Sequence, residues 1–151
     1  MSSKEELQQR VILAARDYGI NTVLYRHAVG AKVGLNVTDM ECLAVLFFKG
    51  MSSPTELATY TGLSSGATTA MLDRLEKSGL IIRQANPKDR RSTLVVVAED
   101  ARTKVGPFFV KIRQAQDKLM TGYSDEELTC IADFLSKTST IWEEERKKLH
   151  T

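Results

Sequence analysis

Residues 53–99 read SPTELATYTGLSSGATTAMLDRLEKSGLIIRQANPKDRRSTLVVVAE. A capping serine, a proline at the first helical position and a glutamate two residues later predict a short helix over Pro54–Tyr60. A turn that contains Gly62 follows, and the next apolar spacing predicts a second helix over Ser65–Lys77. Two helices joined by three or four residues that include glycine are typical of a helix-turn-helix, whose second helix enters the DNA major groove.

The second of these helices has two faces of different chemistry. Its spacing predicts an inward stripe made of Ala67, Met71, Leu72 and Leu75. Near the N-terminal end, the other face carries small and hydroxylated residues, which allow close approach to base edges and phosphates at an electropositive helix terminus. Arg74, one turn further along, could reach a phosphate. If the serines and threonines do more than solvate the surface, the candidate DNA contacts on this helix are Ser64, Ser65, Gly66, Thr68, Thr69 and Arg74.

Two β-rich runs follow Gly79, over Leu80–Gln84 and Thr93–Val97, because β-branched and aliphatic residues favour strands. The turn between them, residues 86–92, opens with Asn-Pro and carries three cations within four positions. A charged hairpin tip is often only a solvated turn. Directly after a helix-turn-helix it indicates a wing that probes the minor groove, since arginine favours the negative potential of a narrow groove. The candidate wing contacts are Lys88, Asp89, Arg90 and Arg91.

Two helices are predicted before the helix-turn-helix. The first covers residues 4–28, with Ser3 and Glu6 as a capping box and an apolar stripe that starts at Leu7. The second begins at Thr38 and is nearly apolar all round, which predicts a buried helix. A DNA-reading unit of this size does not cover the stripe of the first helix, so we expect that stripe to pair with helices of a second subunit.

After the wing, a helix over residues 100–121 is predicted to kink at Pro107, and a last helix follows a capping serine. The predicted fold class is therefore mainly α with a small β-hairpin wing. The predicted organisation is a winged helix-turn-helix region at 37–99, flanked by a helical dimerisation region made of 1–36 and 100–151, in one compact chain.

The composition is that of an ordinary globular domain, with 151 residues, 42% hydrophobic, 26% charged and a formal net charge of +2. No apolar run approaches the ~18 residues of a membrane span, and acidic residues near the N-terminus predict a cytoplasmic protein without a secretion signal. The two cysteines, Cys42 and Cys130, form no metal or redox motif, so no metal or cofactor is expected. Cys42 is predicted to be a buried core residue, with a redox sensor as the alternative.

The stretch Gly79-Leu80-Ile81 and the run Asn86–Val95 resemble the wing of MarR-type transcriptional regulators, with an Asp-x-Arg signature at Asp89 and Arg91. Residues 65–77 resemble that family's recognition helix, and the resemblance covers nearly all of the chain. It implies a homodimer with intertwined terminal helices and two winged domains that read a pseudo-palindromic operator on double-stranded DNA. It also implies that Arg91 contacts the groove and that Asp89 orients it or a neighbouring basic group.

The resemblance carries implications for regulation as well. Many relatives bind small phenolic or aromatic compounds, which implies a repressor released by such an effector. Others sense oxidants through a cysteine in the first helix, and this chain has none there. The family's usual Leu-Thr-x-x-Gly after the second strand is replaced by VAEDA at residues 97–101, so we expect the junction from wing to helix to differ.

Two other classes of function were weighed against DNA binding. A dimeric winged-helix module that binds protein instead of DNA fits the mild net charge. An enzyme is not expected, because His27 and His150 are the only histidines and no zinc-protease, phosphate-loop or hydrolase-elbow motif is present. His27 is predicted to be a solvated helix residue, with a place in an effector pocket as the alternative.

Overall fold

The computed structural model describes residues 2–149. Its elements, in chain order, are α1 Ser3–Val33, α2 Val37–Lys49, β1 Met51–Ser52, α3 Pro54–Thr61, α4 Ser65–Lys77, β2 Ile81–Asn86, β3 Asp89–Val97, α5 Glu99–Lys104, α6 Gly106–Met120 and α7 Asp125–Lys148. The chain divides into two compact units, the first ending at Phe108 and the second beginning at Phe109.

The fold is mainly helical with one small antiparallel sheet, which confirms the predicted fold class. The strand order is β1-β3-β2, so β3 pairs with both neighbours. Val96 of β3 faces Ile82 of β2 on one side and Met51 of β1 on the other. Strand β1 was not predicted, because two residues are too few for an alternating pattern to be seen.

The core of the first unit lies between the helix-turn-helix and the sheet. Leu43 and Leu46 of α2 are buried with Leu57 of α3, and the inner faces of α4 and the strands complete the cluster. Each fully buried side chain of this size contributes about 1.5–3 kcal/mol relative to an exposed one. This packing fixes α4 against α2, α3 and β2, and therefore sets which of its residues remain outside.

Two predicted helix starts are wrong by one or two residues. Ser2, not Ser3, caps α1, and its capping box is closed by Glu5. Asn36 caps α2 through a hydrogen bond from the Asp39 backbone N–H to the Asn36 side chain, at 2.8 Å. Either of two overlapping capping patterns fits each start, and the direction in which the chain enters the helix selects one of them.

The predicted helix over residues 100–121 is two helices. The first, α5, ends at Lys104, and α6 starts at Gly106 with Pro107 as its second residue. Proline is well tolerated in the first turn of a helix, where a backbone N–H has no intrahelical partner. The chain therefore begins a new helix at this proline instead of bending through it.

Helix α1 crosses α2 at a close approach that needs Gly30. A Cβ placed on Gly30 would lie 3.2 Å from both the Leu35 carbonyl oxygen and the Cβ of Met40, whereas one on Gly19 would meet nothing within 4 Å. Both neighbours of Gly30 are rigid, since one is backbone and Met40 is fully buried. This contact explains why α1 continues through Gly30 to Val33, although glycine was predicted to end it.

We expect Gly30→Ala to lower the free energy of unfolding by about 1 kcal/mol. The added methyl group overpacks the crossing, and this cost is larger than the stability that alanine gains from its higher helix propensity. The matched variant Gly19→Ala, in open space on the same helix, should raise it by about 0.5–1 kcal/mol. Urea denaturation of both variants measures the difference. Equal stabilisation by the two substitutions would show that the crossing is loose.

Candidate nucleic-acid interface

Helix α4 presents its N-terminal turn to solvent. Ser64 is its cap, and the Ser64 hydroxyl accepts the Ala67 backbone N–H at 3.2 Å. Ser65, Gly66 and Thr69 are exposed on the first two turns. The Thr69 hydroxyl donates to the Ser65 carbonyl at 3.1 Å, which leaves its oxygen able to accept and its methyl group outside. These residues lie where a recognition helix meets base edges.

Thr68 was predicted to face outward, and that prediction is wrong. Thr68 is 2% exposed, and its hydroxyl donates to the Ser64 carbonyl at 2.8 Å. Residue 68 stands three, four and seven positions before Met71, Leu72 and Leu75, which is the spacing of one helix face. Ala67, predicted to point inward, is exposed instead. Thr68 therefore leaves the set of candidate DNA contacts.

Sequence reasoning missed two exposed methyl groups on the same helix, those of Ala67 and Ala70. The sequence could have predicted them from the three-residue spacing of the two alanines, which puts both on the outer face once Thr68 is assigned to the inner face. Methyl groups on a recognition helix suit contact with the C5-methyl of thymine, and the nearby hydroxyls bond to either base type.

The wing is a tighter hairpin than the sequence predicts. Its turn consists of Pro87 and Lys88 alone, and Asn86 pairs directly with Asp89. The next pair is Ala85 with Thr93, so Arg90, Arg91 and Ser92 form a bulge on β3 that no residue of β2 opposes. Bulges re-aim side chains and increase the local twist of a hairpin. This one carries two of the three cations of the tip.

Side chains lock the shape of this tip. Asn86 accepts the Lys88 backbone N–H at 2.9 Å and donates to the Ser92 hydroxyl at 2.9 Å. The Ser92 hydroxyl donates to the Asp89 carbonyl at 3.2 Å. The Asp89 carboxylate accepts the Arg91 backbone N–H at 3.0 Å. Asp89 was predicted to hold a guanidinium, but it holds the backbone of Arg91, because the bulge turns that N–H toward it.

The cations of the wing tip are exposed and form no ion pair within the part of the chain that the structure describes. Among residues 2–149, no carboxylate lies within 4.0 Å of the charged groups of Lys88, Arg90 or Arg91. Other cations of the same unit are engaged: Arg83 donates to Asp73 at 2.7 Å. The three cations of the tip are therefore not ion-paired, and residues 88–91 together carry a formal charge of +2 because Asp89 lies among them.

Arg74 differs from the wing cations. Its guanidinium donates to both oxygens of Asp39, from Nη2 at 2.6 Å and from Nε at 3.1 Å. That hydrogen bonding, with the Coulomb attraction of the carboxylate, raises the pKa of Arg74 above its ordinary value. The arginine predicted as a free phosphate contact is thus held by a residue of α2.

The remaining candidate features of the sequence are the two histidines and the buried cysteine. Among residues 2–149, no three His, Cys, Asp or Glu side chains come together as a metal site, and no helix combines the length and apolarity needed to cross a membrane. His27 is half-buried on α1, and His150 lies outside the described residues. Cys42 is fully buried, as predicted, and burial with the nearby Asp39 charge raises the pKa of its thiol to about 12.

The region from α3 to the wing is a winged helix-turn-helix of the DNA-binding kind, since it consists of a short helix, a tight turn, a recognition helix and a hairpin with a basic tip. The family model described as "MarR family" matches residues 35–93. The HTH-type transcriptional regulator YcgE of Bacillus subtilis, itself uncharacterised, is 34% identical over 148 residues, 98% of this chain and 96% of that protein. The chain belongs to the MarR family and is a DNA-binding transcriptional regulator.

Other proteins agree with this assignment. MhqR of Bacillus subtilis, an HTH-type transcriptional regulator, is 27% identical over 135 residues, 89% of this chain and 92% of its own. The transcriptional regulator Tm0710 of Thermotoga maritima has the same fold, with a TM-score of 0.61 at 20% identity over 91% of this chain and 96% of that one. NadR, solved in complex with 4-hydroxyphenylacetate, has a TM-score of 0.62 at 17% identity over 86% and 90%.

We expect Cys42 to resist thiol reagents in the folded protein, because a thiol with a pKa of about 12 is protonated at pH 8 and has no path to solvent. The variant Cys130→Ser leaves Cys42 as the only thiol. It should show no reaction with Ellman's reagent at pH 8 and one thiol per chain in denaturant.

The same raised pKa has a consequence for stability. The neutral Cys42 thiol makes its full contribution to the free energy of unfolding below pH about 9, and this contribution is lost as the pH rises toward 12. Between these pH values the thiol ionises only in the unfolded chain. Stoichiometric labelling of folded Cys130→Ser within minutes would contradict the buried assignment and restore the redox-sensor alternative.

Proposed function

We propose that the protein binds a pseudo-palindromic operator as a homodimer, with α4 of each subunit in the major groove and the wing tip in the adjacent minor groove. The observation that carries this proposal is the free positive tip at Lys88, Arg90 and Arg91, which belongs to the same unit as the exposed face of α4. A rigid, unneutralised guanidinium is suited to the negative potential of a narrow groove.

The charge distribution supports this proposal better than the net charge does. The whole chain carries only +2, but the internal pairs of Arg74 and Arg83 remove those cations from the free surface charge. The wing retains its three. On α4, the proposed contacts are Ser64, Ser65, Gly66 and Thr69, with Arg74 from its outer edge. A protein-binding wing has no need of cations held in this way, so DNA is the favoured ligand.

Exposed apolar side chains support the dimer. In the first unit, residues 2–20 of α1 are exposed throughout, including Leu7, Val11 and Tyr18. In the second unit, α7 exposes Phe134, Ile141 and Trp142. Apolar rows of this extent are typical of surfaces that another chain covers. Dimerisation would set two recognition helices about one DNA turn apart.

We further propose that the protein represses transcription and that a small aromatic or phenolic compound releases it. The support is the fold shared with NadR, which was solved with 4-hydroxyphenylacetate. Release requires that the effector bind more tightly to a dimer whose recognition helices are wrongly spaced for DNA. Binding to a chromosomal operator would also place the protein in the cytoplasm.

We expect Arg91→Ala to weaken operator binding and to reduce the salt dependence of that binding. The duplex for this test is one that the wild-type protein selects from a random-sequence library. Loss of one phosphate-type contact per subunit lowers the slope of log K against log salt by about 0.9, or about 2 per dimer. Fluorescence anisotropy at four or more salt concentrations measures both quantities.

The control is Arg102→Ala, which removes an exposed cation of α5 outside the helix-turn-helix and wing. It should leave the slope unchanged. An unchanged slope in Arg91→Ala would remove the wing from the interface, and selection of no duplex by the wild-type protein would favour a protein partner instead.

We expect the double variant Leu7→Glu with Val11→Glu to be monomeric at micromolar concentration, because four buried charges per dimer would be uncompensated. Its operator affinity should fall with the loss of the second half-site. Sedimentation equilibrium gives the mass. The matched variant Gln8→Glu with Gln9→Glu adds the same charge at polar positions of α1 and should remain dimeric; a monomeric wild-type protein would refute the dimer.

A further inference from the structure

Asp39, in the first turn of α2, is the only charged residue classed as buried among residues 2–149. Its side chain is 7% exposed. A buried carboxylate is costly unless it is paired and hydrogen-bonded. Asp39 lies outside the helix-turn-helix itself, and its only partner of opposite charge is on the recognition helix. The position of this pair therefore calls for an explanation beyond core packing.

Arg74 contacts Asp39 through one edge of its guanidinium, the edge formed by Nε and Nη2. Two of the five N–H groups are used, and the remaining three point away from that carboxylate. The Arg74 side chain is 49% exposed although its partner is buried. One edge of the guanidinium is thus fixed inside the protein while the other is available to a ligand.

Arg74 lies on the exposed flank of α4 that we propose faces DNA. Arg74 is seven residues after Ala67 and four after Ala70, which places it on the same helix flank, about 10 Å further along the axis. Both alanines are exposed. When the N-terminal turns of a recognition helix meet bases, a cation at this distance along the helix comes to the sugar-phosphate backbone.

We propose that Asp39 is a positioning residue for DNA binding, which holds the guanidinium of Arg74 so that its outer edge contacts a phosphate. This inference rests on the operator-binding function proposed above. An arginine fixed before binding loses less rotamer freedom when the complex forms, and a planar fork can bridge two oxyanions at once where a lysine ammonium cannot.

The charge of Asp39 makes this role separable from simple electrostatics. A carboxylate near DNA repels phosphate, so its neutralisation alone would strengthen binding to any duplex. Loss of positioning, in contrast, weakens binding only where Arg74 has a fixed phosphate to meet. The two effects therefore oppose each other on specific DNA, whereas on non-specific DNA only the charge effect remains.

The test uses the full-length protein, the library-selected duplex and a scrambled duplex of the same composition. Asp39→Asn should weaken binding to the selected duplex about tenfold, with unchanged or tighter binding to the scrambled one. Glu41→Gln is the matched control, since Glu41 is another α2 carboxylate paired with an arginine, Arg26 of α1, at 2.9 Å. It should leave both affinities unchanged.

A second variant separates DNA contact from a purely structural role. Asp39→Leu with Arg74→Met replaces the ion pair by an apolar pair, a change that often preserves stability. If circular dichroism shows that the double variant is folded, its salt slope for the selected duplex should fall by about 2 per dimer. Loss of an ion pair with a purely structural role would leave the slope unchanged. If Asp39→Asn unfolds, this variant still tests the Arg74 phosphate contact on which the positioning role depends.

An unchanged slope and affinity in the folded double variant would overturn the inference but leave the proposed function intact, provided that Arg91→Ala still lowers the slope. Tighter binding of Asp39→Asn to both duplexes would also overturn it, because charge alone would then account for Asp39. Failure of the wild-type protein to select any duplex would overturn the inference together with the proposed function.

Discussion

The interface depends on how α4 is rotated about its own axis. Thr68, Met71, Leu72 and Leu75 form the inner row and are all buried. A rotation by one residue, about 100°, would expose at least one large aliphatic side chain at a cost of about 1.5–3 kcal/mol. The same burial that stabilises the first unit therefore decides that Ser65, Gly66 and Thr69 lie outside.

The wing follows a different principle, because its tip is held by hydrogen bonds and not by a core. Asn86, Asp89 and Ser92 use their side chains to satisfy one another and the backbone of the turn. The Asp89 carboxylate accepts the Arg91 backbone N–H and forms no ion pair with either neighbouring arginine, although its charge lowers the net charge of the tip. The hydrogen bonds fix the backbone shape of the tip, and its cations remain exposed.

Arginines of the first unit thus have distinct tasks that depend on their partners. Arg83 joins β2 to α4 through Asp73, and Arg74 joins α4 to α2 through Asp39. These pairs connect the recognition helix to β2 on one side and to α2 on the other. Arg90 and Arg91 lie exposed on a bulge and form no ion pair with a carboxylate among residues 2–149. The ion-paired arginines and the wing arginines therefore differ in whether a carboxylate lies beside them.

Local patterns in the sequence determined the helix-turn-helix, the caps at Ser53 and Ser124, and the existence of a basic wing, because each is set by neighbours within a few residues. The family resemblance was visible in the same stretch. The inward position of Thr68 and the contact of Asp89 with the Arg91 backbone also had local signals, which our predictions did not use. The tertiary structure alone decided the pairing of Arg74 with Asp39, which stands 35 positions away. Contacts at that separation arise from packing of whole elements, and no local spacing encodes them.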